Sequence, residues 1–246
     1  MKASSAIFRI LESGPVQARF GQDGPSELLL GHGASAEYLV LQAEADDATL
    51  AAEYAIRLSE GASLRMVFLS LCGGAIRNRI RVSLSGPHAA CELAGLYLPA
   101  GNQRMEYDVL LEHLVPDCHS TQLFKGILDG HAVSRFDGLV KVVPDAQRTE
   151  AYQANHNLLL SETAKAHTQP QLEIYADDVK CSHGATVGRL NPDELFYMRT
   201  RGIPVADARL LQQMAFANEV AEKISQPELR EKMRLLVEKR LRGEKI

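Results

Sequence analysis

Between residues 62 and 190 the chain alternates apolar and polar residues in short runs and never settles into a helical period. In residues 76–84, Ile80, Val82 and Leu84 fall on one face of a strand and Arg79, Arg81 and Ser83 on the other. Residues 64–71 and 133–142 follow the same rule. Turn signals separate the runs at Gly73-Gly74, Ser85-Gly86-Pro87, Pro99-Ala100-Gly101 and Asp129-Gly130. Short strands joined by tight turns leave two architectures: a β-sandwich or barrel, or a solenoid whose stacked coils bury a continuous core. Residues 94–98, 125–129 and 137–141 each place a glycine before apolar residues. This repeat is too uneven in spacing to choose between the two.

The flanking regions read differently. Residues 1–60 are mixed. Residues 37–41 predict a strand, and the Ala-rich stretch 46–59 reads as a short helix, with a strand-and-turn reading in competition. After Leu190 the pattern turns helical. Asn191-Pro192-Asp193-Glu194 supplies a cap, a proline at the first helical position and acids in the first turn, and Gly202 can end that helix. A second helix is expected from near Pro204, with Leu211, Met214, Val220, Ala221 and Ile224 as its apolar stripe. Ser225-Gln-Pro-Glu228 resembles a capping box that starts a third, whose apolar face is Leu229, Met233, Leu236 and Val237. The expected organisation is a mixed region over 1–60, a β core over 61–190 and a helical domain over 191–246.

Composition narrows the function classes. In 246 residues, 27 Lys and Arg stand against 31 Asp and Glu, for a formal charge of −4. That balance gives no reason to expect nucleic acid or an anionic membrane surface as partner. No apolar run approaches the ~18 residues of a membrane-spanning helix, and residues 1–9 lack the apolar core of a signal peptide. The four cysteines, Cys72, Cys91, Cys118 and Cys181, lie far apart without a CxxC pair, which predicts a reducing, cytoplasmic setting.

Candidate chemistry is sparse. Cys181 and His183 stand two apart in an expected strand, so both side chains fall on one face, and thiolate with imidazole suits iron, zinc or copper. Nothing local completes a set of three or four ligands, and the competing reading is a packed cysteine beside a hydrogen-bonded histidine. His113 and His119 flank Pro116-Asp117-Cys118 as a weaker second cluster. The phosphate loop GxxxxGK[ST] and the GxSxG nucleophile elbow are both missing.

Taken in order, residues 119–220 resemble the SufB/SufD family of iron–sulfur cluster assembly proteins, on the SufD side. The words that carry the resemblance are His119-Ser-Thr121, Lys125-Gly126, Phe136-Asp-Gly138, Thr149-Glu-Ala-Tyr-Gln153, Asn157-Leu-Leu-Leu-Ser161 and Pro170-Gln-Leu-Glu-Ile174. They continue through Ala176-Asp-Asp-Val-Lys-Cys-Ser-His-Gly-Ala-Thr-Val-Gly188, Leu195-Phe-Tyr197 and Arg199-Thr-Arg-Gly-Ile203. SufB-like members carry His-Glu-Ala where this chain has His183-Gly184-Ala185, and a cysteine near the position of Asn155. His183 matches the histidine that SufD-like members bring to the subunit interface, and Cys181 matches a nearby SufD-type cysteine.

The resemblance implies a right-handed parallel β-helix, a β-solenoid, followed by a small C-terminal α-helical domain. It implies a non-catalytic scaffold that pairs through its β-helix with a SufB-like subunit, or with itself as a homodimer. A SufC-like ATPase would dock on the C-terminal helices through Leu195, Phe196, Tyr197, Arg199, Arg201, Gly202, Leu211 and Phe216. No tightly bound cofactor is expected, only transient iron or an iron–sulfur cluster at the interface, with His183 and Cys181 as candidate ligands. Typical members extend further at the N-terminus, so the expectation is a short or truncated member. Two other readings stay open. One is a β-helix polysaccharide hydrolase or lyase, which would need Asp residues stacked on neighbouring coils and is weakened by the lack of Trp. The other is a metal-free dimerisation module.

Overall fold

The computed structural model describes residues 6–21 and 25–245. Four strands open the chain: β1 (Ala6–Ser13), β2 (Val16–Arg19), β3 (Ser26–Leu30) and β4 (Ser35–Ala43). Then come β5 (Thr49–Leu58), β6 (Ser63–Cys72), β7 (Ala75–Leu84), β8 (Ala90–Tyr97) and β9 (Arg104–His113). The last are β10 (His119–Leu128), β11 (Val133–Val142), β12 (Thr149–Leu159), β13 (Lys165–Ile174) and β14 (Val179–Gly188). From β3 on, successive strands alternate between two seven-stranded sheets, and strands two apart in sequence pair in parallel. This is a β-solenoid of about six turns, which removes the sandwich alternative. The first sheet runs β1-β4-β6-β8-β10-β12-β14 and the second β13-β11-β9-β7-β5-β3-β2. Among the described residues, antiparallel pairing occurs only where β1 meets β4 and β2 meets β3, at one end.

The stretch 46–59 is not a helix. It supplies β5, whose Tyr54, Ile56 and Leu58 are buried while Glu53, Ala55 and Arg57 face out. Its alanines suit helix and strand alike, and the period of two over 53–58 decided the outcome once a neighbouring strand was there to pair.

Parallel, in-register stacking puts equivalent residues of successive rungs above one another on the same face. One interior column of the first sheet therefore runs Val40, Phe68, Gly95, Phe124 and Asn155. Gly95 is in the column because a Cβ there would collide with the Phe124 ring. Gly126 likewise makes room for the Tyr97 ring and Asn157. The space is filled by an aromatic stack: Tyr54–Phe68, Phe68–Tyr107, Tyr107–Phe124 and Phe124–Phe136 have ring centroids 5.3, 6.1, 5.1 and 5.0 Å apart. Such edge and tilted pairs add about 0.5–1.5 kcal/mol each beyond area burial.

The outer face of the first sheet is also apolar over its early rungs, and three helices deal with it. These are α1 (Pro192–Thr200), α2 (Val205–Ala221) and α3 (Pro227–Leu241). Ala217 and Val220 of α2, Ile224, and Met233 and Val237 of α3 pack on Leu39, Val67, Leu69, Leu96 and Ile127. The expected start of α1 holds: Asn191 accepts from the Asp193 and Glu194 N–H groups. Leu211 departs from the expected buried stripe and is 51% exposed, because α2 turns Ala208, Gln213 and Ala217 inward instead. The expected capping box at Ser225 does not form either. Gln226 caps α3 without a side-chain bond, and the Ser225 N–H donates to Glu37 of β4 at 2.8 Å. A carboxylate from the solenoid has taken the role that a local one was expected to fill.

Phe124 sits at the crossing of both interior packings and is fully buried. Phe124→Ala should cost about 3–5 kcal/mol, read as a lower urea midpoint at unchanged slope.

Candidate functional site

The two ends of the solenoid are unlike. At the first, β1 and β2 fold back antiparallel on the early rungs. At the second, β14 and β13 are the terminal strands of their sheets. One flank of each is paired, to β12 and β11, and no strand of the described residues pairs the other. Such an edge offers a row of backbone donors and acceptors to another chain.

Cys181 and His183 both lie on β14, opposite Ala151 and Gln153 of β12. Ala151 and Gln153 are buried in the solenoid interior, so Cys181 and His183 share that interior-facing side, as the spacing of two predicted. Because no further rung covers them, His183 is exposed and Cys181 only half buried. Cys181 packs beside Val140, Val142, Ala146 and Ala176. Burial pushes its thiol up from the ordinary range, partly opposed by a backbone hydrogen bond at Ala151. It therefore stands as a neutral thiol at neutral pH and would release a proton on binding a metal. No group of three or more His, Cys, Asp and Glu side chains placed to hold a metal occurs among the described residues. Cys181 and His183 are thus at most part of a ligand set.

The second cluster, His113 with His119 and Cys118, does not assemble. His113 is wholly buried, with Nε2 2.9 Å from Ser120 Oγ. His119 is on the outer face, 3.8 Å from Glu150, and the Cys118 thiol donates to the Gly86 carbonyl. His113 ends β9 in the second sheet and His119 begins β10 in the first, facing outward, so two residues close in sequence do not become partners.

Among the described strand pairs, carboxylates stack at one place: Asp108 and Asp137 pair on neighbouring coils. Arg81 binds Asp108 at 2.7 Å and Arg135 binds Asp137 at 2.5 Å. Burial would raise the Asp108 carboxyl, but Arg81 and Arg79 hold it below the ordinary range. Neighbouring cations likewise hold the carboxyls of Glu92, Asp117, Glu150 and Glu219 below the ordinary range. A glycoside-cleaving acid needs the opposite shift.

The residues expected at the helical docking surface divide. Phe196 and Tyr197 of α1 are 67% and 59% exposed, and α1 buries none of its residues. The Arg201 guanidinium lies over the Tyr197 ring at 5.2 Å, and Gly202 takes the left-handed conformation (φ 84°) that ends α1. Phe216 belongs to the solenoid side. It is half buried with the Lys125 ammonium 4.3 Å from its ring centroid. Sequence reasoning missed Lys125 itself, which is buried and holds both Glu219 and the Phe216 carbonyl. Its apolar neighbours on β10 gave it the look of an ordinary strand lysine.

Comparison with known proteins fits this arrangement. The profile described as SUF system FeS cluster assembly, SufBD core domain, matches residues 6–216. The chain is 39% identical over 174 residues to the iron–sulfur cluster assembly protein SufD of Escherichia coli (strain K12), covering 70% of this chain and 41% of that protein. A SufBD family protein of Mycobacterium leprae (strain TN) is 36% identical over 206 residues, 80% of this chain and 52% of the relative. One from Synechocystis is 34% identical over 223 residues, 91% and 49% respectively. The chain thus spans about half the length of the curated relatives it matches. No helix among the described residues is long and apolar enough to cross a membrane.

Burial of His113 lowers its pKa from 6.5 to about 4. The folded state holds it neutral while the unfolded chain takes up a proton below pH 6.5. Its contribution is therefore complete above pH 6.5 and is lost as pH falls towards 4. The loss should amount to about 3 kcal/mol, and urea titrations across this window should show a shallower slope with pH in His113→Gln.

Proposed function

We infer that this chain, which belongs to the SufBD core family of the SUF iron–sulfur cluster assembly system and is SufD-like, acts as a non-catalytic scaffold. The observation that carries this reading is His183 itself. It is an exposed imidazole on the last rung, beside an unpaired strand edge, with too few neighbouring ligands to hold a metal alone. The missing ligands would come from a second β-helix added at that edge, either a SufB-like chain or another copy of this one. His183 would give a neutral imidazole to cargo iron or a nascent cluster in the shared interface, a donor suited to iron. Cys181, with its raised thiol, would be a secondary ligand. The compartment would be the cytoplasm, where reducing conditions keep all four cysteines free, as they are here.

A SufC-like ATPase would dock on α1 and the start of α2, where Phe196, Tyr197 and Leu211 are exposed with Leu195, Arg199, Arg201 and Gly202 around them. Phe216 would act indirectly, by seating α2 on Lys125. The polysaccharide-enzyme alternative draws support from no carboxyl of raised pKa. The metal-free dimerisation module would use the same strand edge and differ only at His183 and Cys181.

Two measurements test the reading. His183→Ala should keep the fold and the β-helix pairing but lower cluster maturation in a reconstituted SUF system by at least tenfold; normal maturation would remove His183 from the mechanism. Phe196→Asp should weaken capture of a SufC-like ATPase by about tenfold or more, whereas unchanged titration-calorimetry affinity would move the docking surface off α1.

A further inference from the structure

One interior column of the first sheet changes character along its length. It runs Tyr38, Met66, Leu93, Gln122, Gln153 and His183, one residue per rung. Leu93 is the last apolar member. Gln122 and Gln153 are 2% and 3% exposed, an unusual setting for an amide unless its hydrogen bonds are made inside.

They are made in part. Gln153 Nε2 donates to Gln122 Oε1 at 3.0 Å. This leaves Gln122 Nε2 and Gln153 Oε1 buried without a partner. Gly138 on the facing sheet keeps the space for this pair, since a Cβ there would meet Gln153 Nε2 and the Phe136 ring. In a ladder of stacked amides each rung donates to the one before it. The Gln153-to-Gln122 bond sets that direction, so Gln153 Oε1 is an acceptor awaiting a donor from the next rung. The residue opposite Gln153 on that rung is His183, on the same face. Its ring nitrogens have no hydrogen-bond partner among the described residues, and a neutral imidazole carries one N–H.

We propose that Gln153 is a positioning residue for His183: its Oε1 accepts the imidazole N–H, fixes one tautomer and turns the other nitrogen's lone pair out of the open end of the solenoid. An outer carbonyl that orients a ligand histidine in this way also makes it a better donor. The proposal deepens the scaffold reading by naming what presents His183 to its cargo. The tautomer itself is a property of the chain without cargo, so it can be measured apart from that reading.

The test is long-range 1H–15N correlation of the full chain labelled at histidine, at about pH 8.5 so that imidazoles are neutral, with His183→Gln to assign the signal. His183 should show one tautomer in about fivefold excess or more. Gln153→Leu should collapse that excess, and Gln153→Glu, which keeps an acceptor at the same reach, should restore it. Gln122→Leu should leave the bias in place, because the acceptor facing His183 is untouched. A mixture of comparable tautomers in the unaltered chain overturns the proposal, as does a bias that survives Gln153→Leu. Should Gln153→Leu fail to fold, Gln153→Glu and Gln122→Leu decide: bias kept in both supports the assignment, and bias lost in either sinks it. A fixed tautomer together with normal maturation in His183→Ala would sustain the ladder and sink the cluster role. The converse pair of results would do the reverse.

Discussion

In-register stacking of parallel rungs is the constraint from which the rest of this structure follows. Once each strand lies over the one two before it, every residue inherits a column and a face. The side chain one rung back decides what can fit. Phe124 is possible because Gly95 precedes it, and Tyr97 because Gly126 follows. The same rule leaves the final rung without a cover. Whatever stands at the interior-facing positions of β14 is lifted out of a core by position alone, and those positions hold Cys181 and His183. An exposed imidazole on this fold needs no special loop. It needs only to be last in its column.

The helical domain is tied to the solenoid at polar points around an apolar contact. The Glu37 carboxylate receives the Ser225 N–H, Lys125 holds Glu219 and the Phe216 carbonyl, and Arg240 donates to the Leu98 carbonyl and to Gln103. Burial favours protonation of Glu92, but Lys223 and Arg65 each approach it at 2.6 Å and hold its pKa below the ordinary range. These contacts secure α2 and α3 and leave α1 apart. That division explains why α1 has an exposed aromatic pair while Phe216, nearby in sequence, does not. Lys125 is also in register with His156, whose Nδ1 is 2.8 Å from Thr186 Oγ1 on β14. The helical domain and the edge strand therefore meet along one outer column of the first sheet.

Much of this was legible in the chain, and the failures share a physical cause. The strand runs at 64–71, 76–84 and 133–142 and the Asn191 cap were readable because each is a local pattern of strong period or a local hydrogen bond. The rung repeat was hidden. The turns that lead into β4, β6, β8, β10 and β12 of the first sheet each take one residue of positive φ, and that place is filled by Gly33, Gly61, His88, Asp117 and Arg148 in turn. Two glycines would have announced a period, but three other residue types conceal it. The last two are held by each other, Arg148 binding Asp117 through two contacts of 2.6 Å, a long-range support for a strained turn that no local reading could contain. The parallel fold was reached instead through the family resemblance. The pairing of Cys181 with His183 on one face was local and legible. Lys125 and the glutamine pair were not, since their significance depends on what lies one rung away.

The amide pair also shows why a solenoid would carry polar residues inside at all. A core built for stability alone would continue the series of Tyr38, Met66 and Leu93 to the end of the column. A last rung built from Leu would present an apolar, structureless surface, indifferent to the direction in which a partner's atoms approach. An amide ladder has polarity: it donates one way and accepts the other, and its open end asks for a specific kind of atom. Gln122 and Gln153 convert the interior from a space that only excludes water into one that orients the group above it. The cost is two buried polar atoms without partners, Gln122 Nε2 at the inner end and Gln153 Oε1 at the outer. Leu93 is the residue in register with Gln122 on the inner side, and His183 is the residue in register with Gln153 on the outer side. Of the ladder's two open groups, the acceptor is the one on the side where an imidazole stands, which is the arrangement expected if orientation rather than stability selected it.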